Sequence, residues 1–141
     1  EEYNAHTDPS GRYFTLYKRW HLIGLEVGVS VASVALRGEP TGVATAWNAD
    51  VVATAKRDLA VGEVLDGEGG YTVWGKLLPA QKSAQMGGLP LGLAHNVKMI
   101  RPVKKGESLT WSHVAMDTSA PAYKVRKEME KLFTPAMLKA A

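Results

Sequence analysis

One phrase occurs twice in this chain. Residues 57 to 66 read Arg-Asp-Leu-Ala-Val-Gly-Glu-Val-Leu-Asp, and residues 101 to 110 read Arg-Pro-Val-Lys-Lys-Gly-Glu-Ser-Leu-Thr. At an offset of 44 residues, Arg57 aligns with Arg101, Leu59 with Val103, Gly62 with Gly106, Glu63 with Glu107 and Leu65 with Leu109. An apolar alternating stretch leads into each copy, Val51 to Lys56 before the first and Val97 to Ile100 before the second. Self-similarity at a fixed spacing predicts one supersecondary unit used twice. The Gly-Glu step reads as a turn followed by a strand start, since glycine supplies positive φ without steric cost.

The remaining sequence divides into three parts. Residues 1 to 48 open with a polar turn, Thr7-Asp8-Pro9-Ser10-Gly11, and an aromatic run of Tyr13, Phe14, Tyr17 and Trp20. A helix is expected from His21 to Arg37, ended by Gly38 with Pro40 beyond. Gly24, Gly28 and Ala32 make a small-residue stripe on it, which suggests close approach of a neighbouring backbone. Residues 49 to 119 form the duplicated β unit, with strands expected at Val51–Lys56, Tyr71–Leu77, Leu91–Ala94, Lys98–Pro102 and Ser108–Trp111. Helical periodicity is absent from this part. Residues 120 to 141 read as an amphipathic helix, with Thr118-Ser119 as its cap. Its apolar face is Val125, Met129, Leu132 and Phe133, Lys124, Arg126, Lys127 and Lys131 belong to a solvated basic face, and Pro135 ends or kinks it. The fold class is therefore mainly β with flanking helices, an α+β arrangement with one N-terminal and one C-terminal helix.

Composition narrows the function classes. At 141 residues the chain can bury a real core. It has no cysteine, which removes disulfides, thiolate zinc sites and a thiol nucleophile, and agrees with a reducing compartment. A net charge of +3 is too small to imply nucleic acid. The longest apolar stretch, Leu22 to Leu36, contains Glu26 and would span only roughly 22 Å as a helix, short of a bilayer core of about 30 Å. No membrane span is expected. The start at Glu1-Glu2, without an initiator Met or a signal-peptide profile, reads as a piece of a longer protein.

Chemistry-bearing motifs are sparse. The cluster Gly67-Glu68-Gly69-Gly70-Tyr71-Thr72 looks like a dinucleotide fingerprint, but Thr72 stands where its last glycine belongs and no helix is expected to follow, so a tight turn is the preferred reading. His6, His21, His95 and His113 lack the spacing that puts two ligands on one helix face, and no metal site is expected. Lys18, Arg19 and His21, at the start of the first expected helix, are candidates to face an anionic sugar acid or phosphate; the plainer reading is a packing cluster solvated at its rim. Lys56, Arg57, Asp58 and Asp66 frame the first repeat, with Arg57 placed to pair with Asp58 or Glu63. Because Arg101 and Glu107 recur in the second copy, a structural role is preferred there. Trp47, Trp74 and Trp111 could stack on a sugar, although aromatics in a small β body are more often core or interface.

The repeat resembles the SAF family, a β-clip module found in sialic acid synthases, type III antifreeze proteins, pilus and flagellar assembly factors and sugar-acid dehydratases. A wider resemblance rests on four phrases in order: Tyr17-Lys18-Arg19-Trp20-His21-Leu22-Ile23-Gly24-Leu25-Glu26, then Asp50 to Leu59, then Leu65 to Tyr71, then Leu89-Pro90-Leu91-Gly92-Leu93. Together these look like the C-terminal third of homoserine-dehydrogenase-like NAD(P)-dependent oxidoreductases, a group similar to 1-deoxy-D-xylulose 5-phosphate reductoisomerase-like enzymes and sugar-acid oxidoisomerases.

The resemblance implies a SAF-like β-clip built on an internal duplication, with residues 1 to 48 as the end of a parent catalytic domain. It implies that NAD(P) serves the parent protein through a Rossmann domain that this sequence lacks, and that no cofactor binds the chain itself. The chain alone is then not catalytic. The parent would be a cytoplasmic, homo-oligomeric oxidoreductase acting on a small sugar-derived hydroxy acid or phosphate, and this C-terminal domain would cap its cleft or support assembly. By that resemblance His21 and Lys56-Arg57-Asp58, with Lys18 and Arg19 beside them, are the residues that could face substrate; no catalytic residue is assigned. The rival expectation is a self-sufficient carbohydrate-binding SAF module.

Overall fold

The computed structural model of the protein describes residues 6–15, 24 and 27–139, with side chains through residue 133. The chain divides into two compact units, residues 1–43 and 44–141, so the C-terminal helix belongs with the β body.

In the first unit, the Asp8 carboxylate accepts the Ser10 and Tyr13 amides at 3.1 and 3.0 Å, closing the polar turn beneath a Thr7–Phe14 bridge. Helix α1 covers Val27–Ala32 and continues as a π-turn, Ser33–Arg37. Gly38 stops it in the left-handed region at φ 66°, as a C-terminal glycine does. Gly24 has φ 95° and lies in a turn, which removes it from the small-residue stripe expected inside the helix. The expected helical residues 21–23, 25 and 26 lie outside the described residues. Among the described residues of this unit, Ser33 alone is buried, while Val27, Val29, Val31, Val34 and Leu36 are exposed.

The second unit is built on two small antiparallel sheets. Strand β1 (Ala49–Ala55) pairs with β3 (Val73–Pro79), and β2 (Val64–Asp66) pairs with β4 (His95–Met99), which pairs in turn with β5 (Val114–Ala115). Short bridges, Val52–Pro90, Thr54–Ser108, Leu59–Val103 and Gly88–Thr110, tie the segments together. The side chains that close the core, among them Leu59, Leu65, Leu89, Met99, Val103 and Leu109, come from all of these segments. Helix α2 (Ala80–Met86) lies where no helix was expected. Pro79 opens it, the good helix formers Ala80, Gln81 and Lys82 follow, and Gly87 stops it at φ 64°. Seven residues make two turns, too few for a periodic apolar stripe to be read. The expected strand at Leu91–Ala94 is a 3-10 turn, Leu91–Leu93, entered from Pro90. Ser108 and Thr110 each make a single bridge, and Trp111–His113 is another 3-10 turn, so no regular strand spans 108–111.

Helix α3 covers Pro121–Lys139 and runs on past Pro135. Its entry is fixed by Asp117, whose carboxylate accepts the Ser119 amide and hydroxyl at 2.8 and 2.6 Å, rather than by a Thr118 or Ser119 side chain. Among the described residues, no helix is long and apolar enough to cross a membrane.

The repeated phrases meet each other. Leu59 and Val103 exchange both main-chain hydrogen bonds, at 2.8 and 3.0 Å. Around that pair the bonds recur at the 44-residue offset. The Gly62 amide donates to the Met99 carbonyl at 2.8 Å, and the Gly106 amide to the Ala55 carbonyl at 2.9 Å. Return bonds run from Met99 to the Glu63 carbonyl at 2.7 Å and from Ala55 to the Glu107 carbonyl at 2.9 Å. Each glutamate also caps its own turn. Glu63 accepts the Ala60 amide at 2.8 Å, and Glu107 accepts the Lys104 amide at 2.9 Å. Gly62 and Gly106 sit at φ 92° and 84°, where a Cβ is strained whatever the room around it. Gly62→Ala and Gly106→Ala are each expected to cost about 1–2 kcal/mol, by similar amounts, in thermal or urea unfolding. A loss at only one position would mean that the two turns do not carry equivalent strain.

Candidate functional site

The residues expected to face substrate divide between two settings. Lys18, Arg19 and His21 lie outside the described residues. Lys56, Arg57 and Asp58 leave the end of β1, and the turn that follows points their side chains in three directions. The Lys56 amide donates to the Thr72 carbonyl at 2.9 Å, and its Nζ reaches the Gly70 carbonyl. Arg57 pairs with Glu63 at 2.8 Å and also donates to the Asp58 carbonyl at 3.1 Å. Asp58 crosses to the second copy, where it accepts Lys104 Nζ at 2.8 Å and the Lys105 amide at 2.9 Å. The Lys104 and Lys105 bonds hold the Asp58 carboxyl below its ordinary range, and Arg57 does the same for Glu63. These charges close turns and join the two copies. They do not converge on a shared cleft.

Next to them the loop from Asp66 to Thr72 is wound about one carboxylate. Asp66 accepts the Thr72 hydroxyl, the Tyr71 amide at 2.6 Å and the Thr72 amide at 3.0 Å. The Asp66 amide returns a bond to Thr72 Oγ1 at 3.1 Å, and His95 Nδ1 lies 3.1 Å from the Asp66 carbonyl. A Cβ on Gly67 would come within 2.9 Å of that imidazole, and one on Gly70 would collide with the Asp66 carboxylate. The glycine cluster is thus a tight turn between β2 and β3, shaped by its own aspartate. Tyr71 at its tip is exposed, as is Trp74 at the start of β3.

A second polar cluster holds α3 against the β body, and it was not expected from sequence. Arg126 grips the Asp50 carboxylate with both terminal nitrogens, at 3.0 and 2.6 Å, while its Nε donates to Glu130 at 2.8 Å. Ser83 of α2 donates to the same Asp50 carboxylate at 2.5 Å. The guanidinium lies 4.7 Å above the centre of the buried Trp47 ring. One residue on, Lys127 pairs with Glu130 at 2.7 Å and sits 4.0 Å over Trp111, against which Tyr123 packs edge-on at 5.5 Å. Burial raises the Asp50 pKa, but the bonds from Arg126 and Ser83 outweigh it and leave the carboxyl below its usual range. Arg126 and Lys127, read from sequence as part of a solvated face, are inward-facing. The legible signal was the placement of Glu130 four residues after Arg126 and three after Lys127. Val125 and Leu132, expected on the buried face, are 65% and 74% exposed.

Metal ligation has little to build on. Among the described residues, no group of three or more His, Asp or Glu side chains is placed to hold an ion. His113 accepts the Thr110 amide at 3.0 Å through Nδ1, inside a capping box. Burial, with Arg101 nearby, lowers its pKa. Among the described residues of the first unit, one open recess is lined by Val29, Ala32, Ser33, Leu36 and Arg37, and another by residues of the Asp8 turn with His6 and Phe14.

The Asp66 loop yields a pH test. The Thr72 hydroxyl and the Tyr71 and Thr72 amides lower the Asp66 pKa from 3.8 to about 2. Its contribution to stability is complete above pH 3.8 and is lost as pH falls toward 2, because the unfolded chain takes up the proton first. Asp66→Asn is expected to flatten the fall in melting temperature across that interval; an unchanged acid limb would mean that the loop bonds are not formed in solution. No protein-family model matches the chain, and no curated protein matches it.

Proposed function

We propose that residues 49 to 119 are a SAF-like β-clip built on an internal duplication, followed by the helix of residues 120 to 141 and serving in the C-terminal part of an NAD(P)-dependent oxidoreductase of the homoserine-dehydrogenase-like kind. Its role is to cap the cleft or support assembly, with hydride transfer to a small sugar-derived hydroxy acid or phosphate carried out by a Rossmann domain elsewhere in the parent protein. The observation that carries this reading is the matched bonding of the two Gly-Glu turns about the Leu59–Val103 pair. A module whose two halves hold each other in this way is a scaffold first. The employment of Lys56, Arg57 and Asp58 in turn closure supports a scaffold over a reaction centre. The four sequence phrases supply the enzyme family, and with it the cofactor, the cytoplasmic setting and the homo-oligomer of the parent.

Exposed Tyr71 and Trp74 favour a second reading, a self-sufficient module that holds a carbohydrate on its aromatic edge. One experiment separates the two. Titration of this chain with NADPH, NADH and a panel of sugar acids and sugar phosphates, followed by tryptophan fluorescence and calorimetry, is expected to give no saturable response and no turnover. A saturable sugar response abolished by Trp74→Ala would establish the carbohydrate module instead. Turnover of a nicotinamide cofactor by the chain alone would overturn both.

A further inference from the structure

We infer that α3 is a strap held on the β body by a polar latch, able to come off as a unit while the β body stays folded. Among the described side chains, the apolar core closes without it. Every residue of the core cluster lies between Ala53 and Val114, and the half-buried side chains packed against that cluster reach only to Met116. Among the described side chains of α3, directional contacts to the body come from Tyr123, Arg126 and Lys127, which fall within five residues, little more than one helical turn. Arg126 binds Asp50 and covers Trp47, Lys127 covers Trp111, and Tyr123 meets Trp111 edge-on.

Glu130 makes these contacts act together. One carboxylate oxygen accepts Arg126 Nε and the other accepts Lys127 Nζ, so both latch cations are set by a single side chain on their own helix. Met129 and Phe133 are half-buried, whereas Val125 and Leu132 are exposed, so residues 121 to 133 commit only part of their apolar surface to docking. A helix held by a few charge and ring contacts, outside a core complete without it, belongs to the low-energy end of a protein's opening reactions. On the body side, opening leaves Asp50 with its Ser83 hydrogen bond and uncovers the Trp47 and Trp111 rings.

Native-state hydrogen exchange on the whole chain tests this. In wild type, amides of residues 125 to 133 are expected to exchange at least about tenfold faster than those of Ala53, Leu59, Met99 and Val103, through an opening that low denaturant accelerates less steeply than it does global unfolding. Glu130→Gln and Asp50→Asn should each raise α3 exchange further, while exchange at the four body amides changes less than about twofold. Glu130 lies on the strap and touches no core residue, so its variant remains informative if Asp50→Asn fails to fold. Equal protection of α3 and the body, or parallel loss of protection in the Glu130→Gln variant, would overturn the proposal.

Discussion

The main-chain exchange between Leu59 and Val103 is the constraint from which the rest of the β body follows. Neither segment has a long strand to join, and each would leave its amide and carbonyl unpaired next to a buried side chain. A buried unpaired peptide group costs far more than the net gain of an ordinary hydrogen bond. The pair therefore fixes the register of both phrases at once. Once it is set, Gly62 faces Met99, Gly106 faces Ala55, and the two glutamates fall where they can cap their own turns. The Gly-Glu signature acquires a two-part meaning: the glycine allows the backbone to reverse, and the glutamate satisfies the amide that the reversal leaves open.

Around this centre, charged groups do architectural work in two ways. At the turns, Arg57, Asp58 and Lys104 are solvent-exposed and Glu63 is half-buried, and water screening keeps such pairs weak individually. They set direction and register. At α3 the geometry differs, because Arg126 and Asp50 are both largely withdrawn from water and bonded bidentately. A withdrawn pair needs its remaining bonds satisfied, and Ser83, Glu130 and the Trp47 ring supply them. The difference separates a latch that tolerates no missing member from a rim that tolerates several.

The sequence made much of the centre legible and little of the periphery. The duplicated phrase located the turns and the strand leading into the first copy, because a repeated Gly-Glu step has few uses other than a turn, and it left Asp58 and Glu63 as alternative partners for Arg57, of which the structure pairs Glu63. The extent of the C-terminal helix was also readable, apart from the effect of Pro135. Helix α2 was not, since Ala80 to Met86 is shorter than the window in which a 3.6-residue period stands out. Leu91 to Leu93 reads as a strand by composition, yet it curls into a 3-10 turn behind Pro90. The inward face of α3 was misread for a deeper reason. Amphipathic patterning assumes that apolar residues point to the body, and here aromatic rings and one buried carboxylate on the body invert the preference in favour of Arg126 and Lys127. The candidate residues Lys56, Arg57 and Asp58 stand in sequence as a charged phrase, but Lys56 turns to the Gly70 carbonyl, Arg57 to Glu63, and the direction of Asp58 depends on where residue 104 arrives.

That dependence bears on how the chain acquires its shape. Strands β1 and β3 are close in sequence and can zip early, but the first Gly-Glu turn finds its main-chain partners only when residues 99 to 107 arrive. Closing a loop of that length precedes any reward from the contact, so this step belongs late on the folding route. During synthesis the leading half must wait, its turn amides solvated and its edge open, until the trailing half leaves the ribosome and locks it.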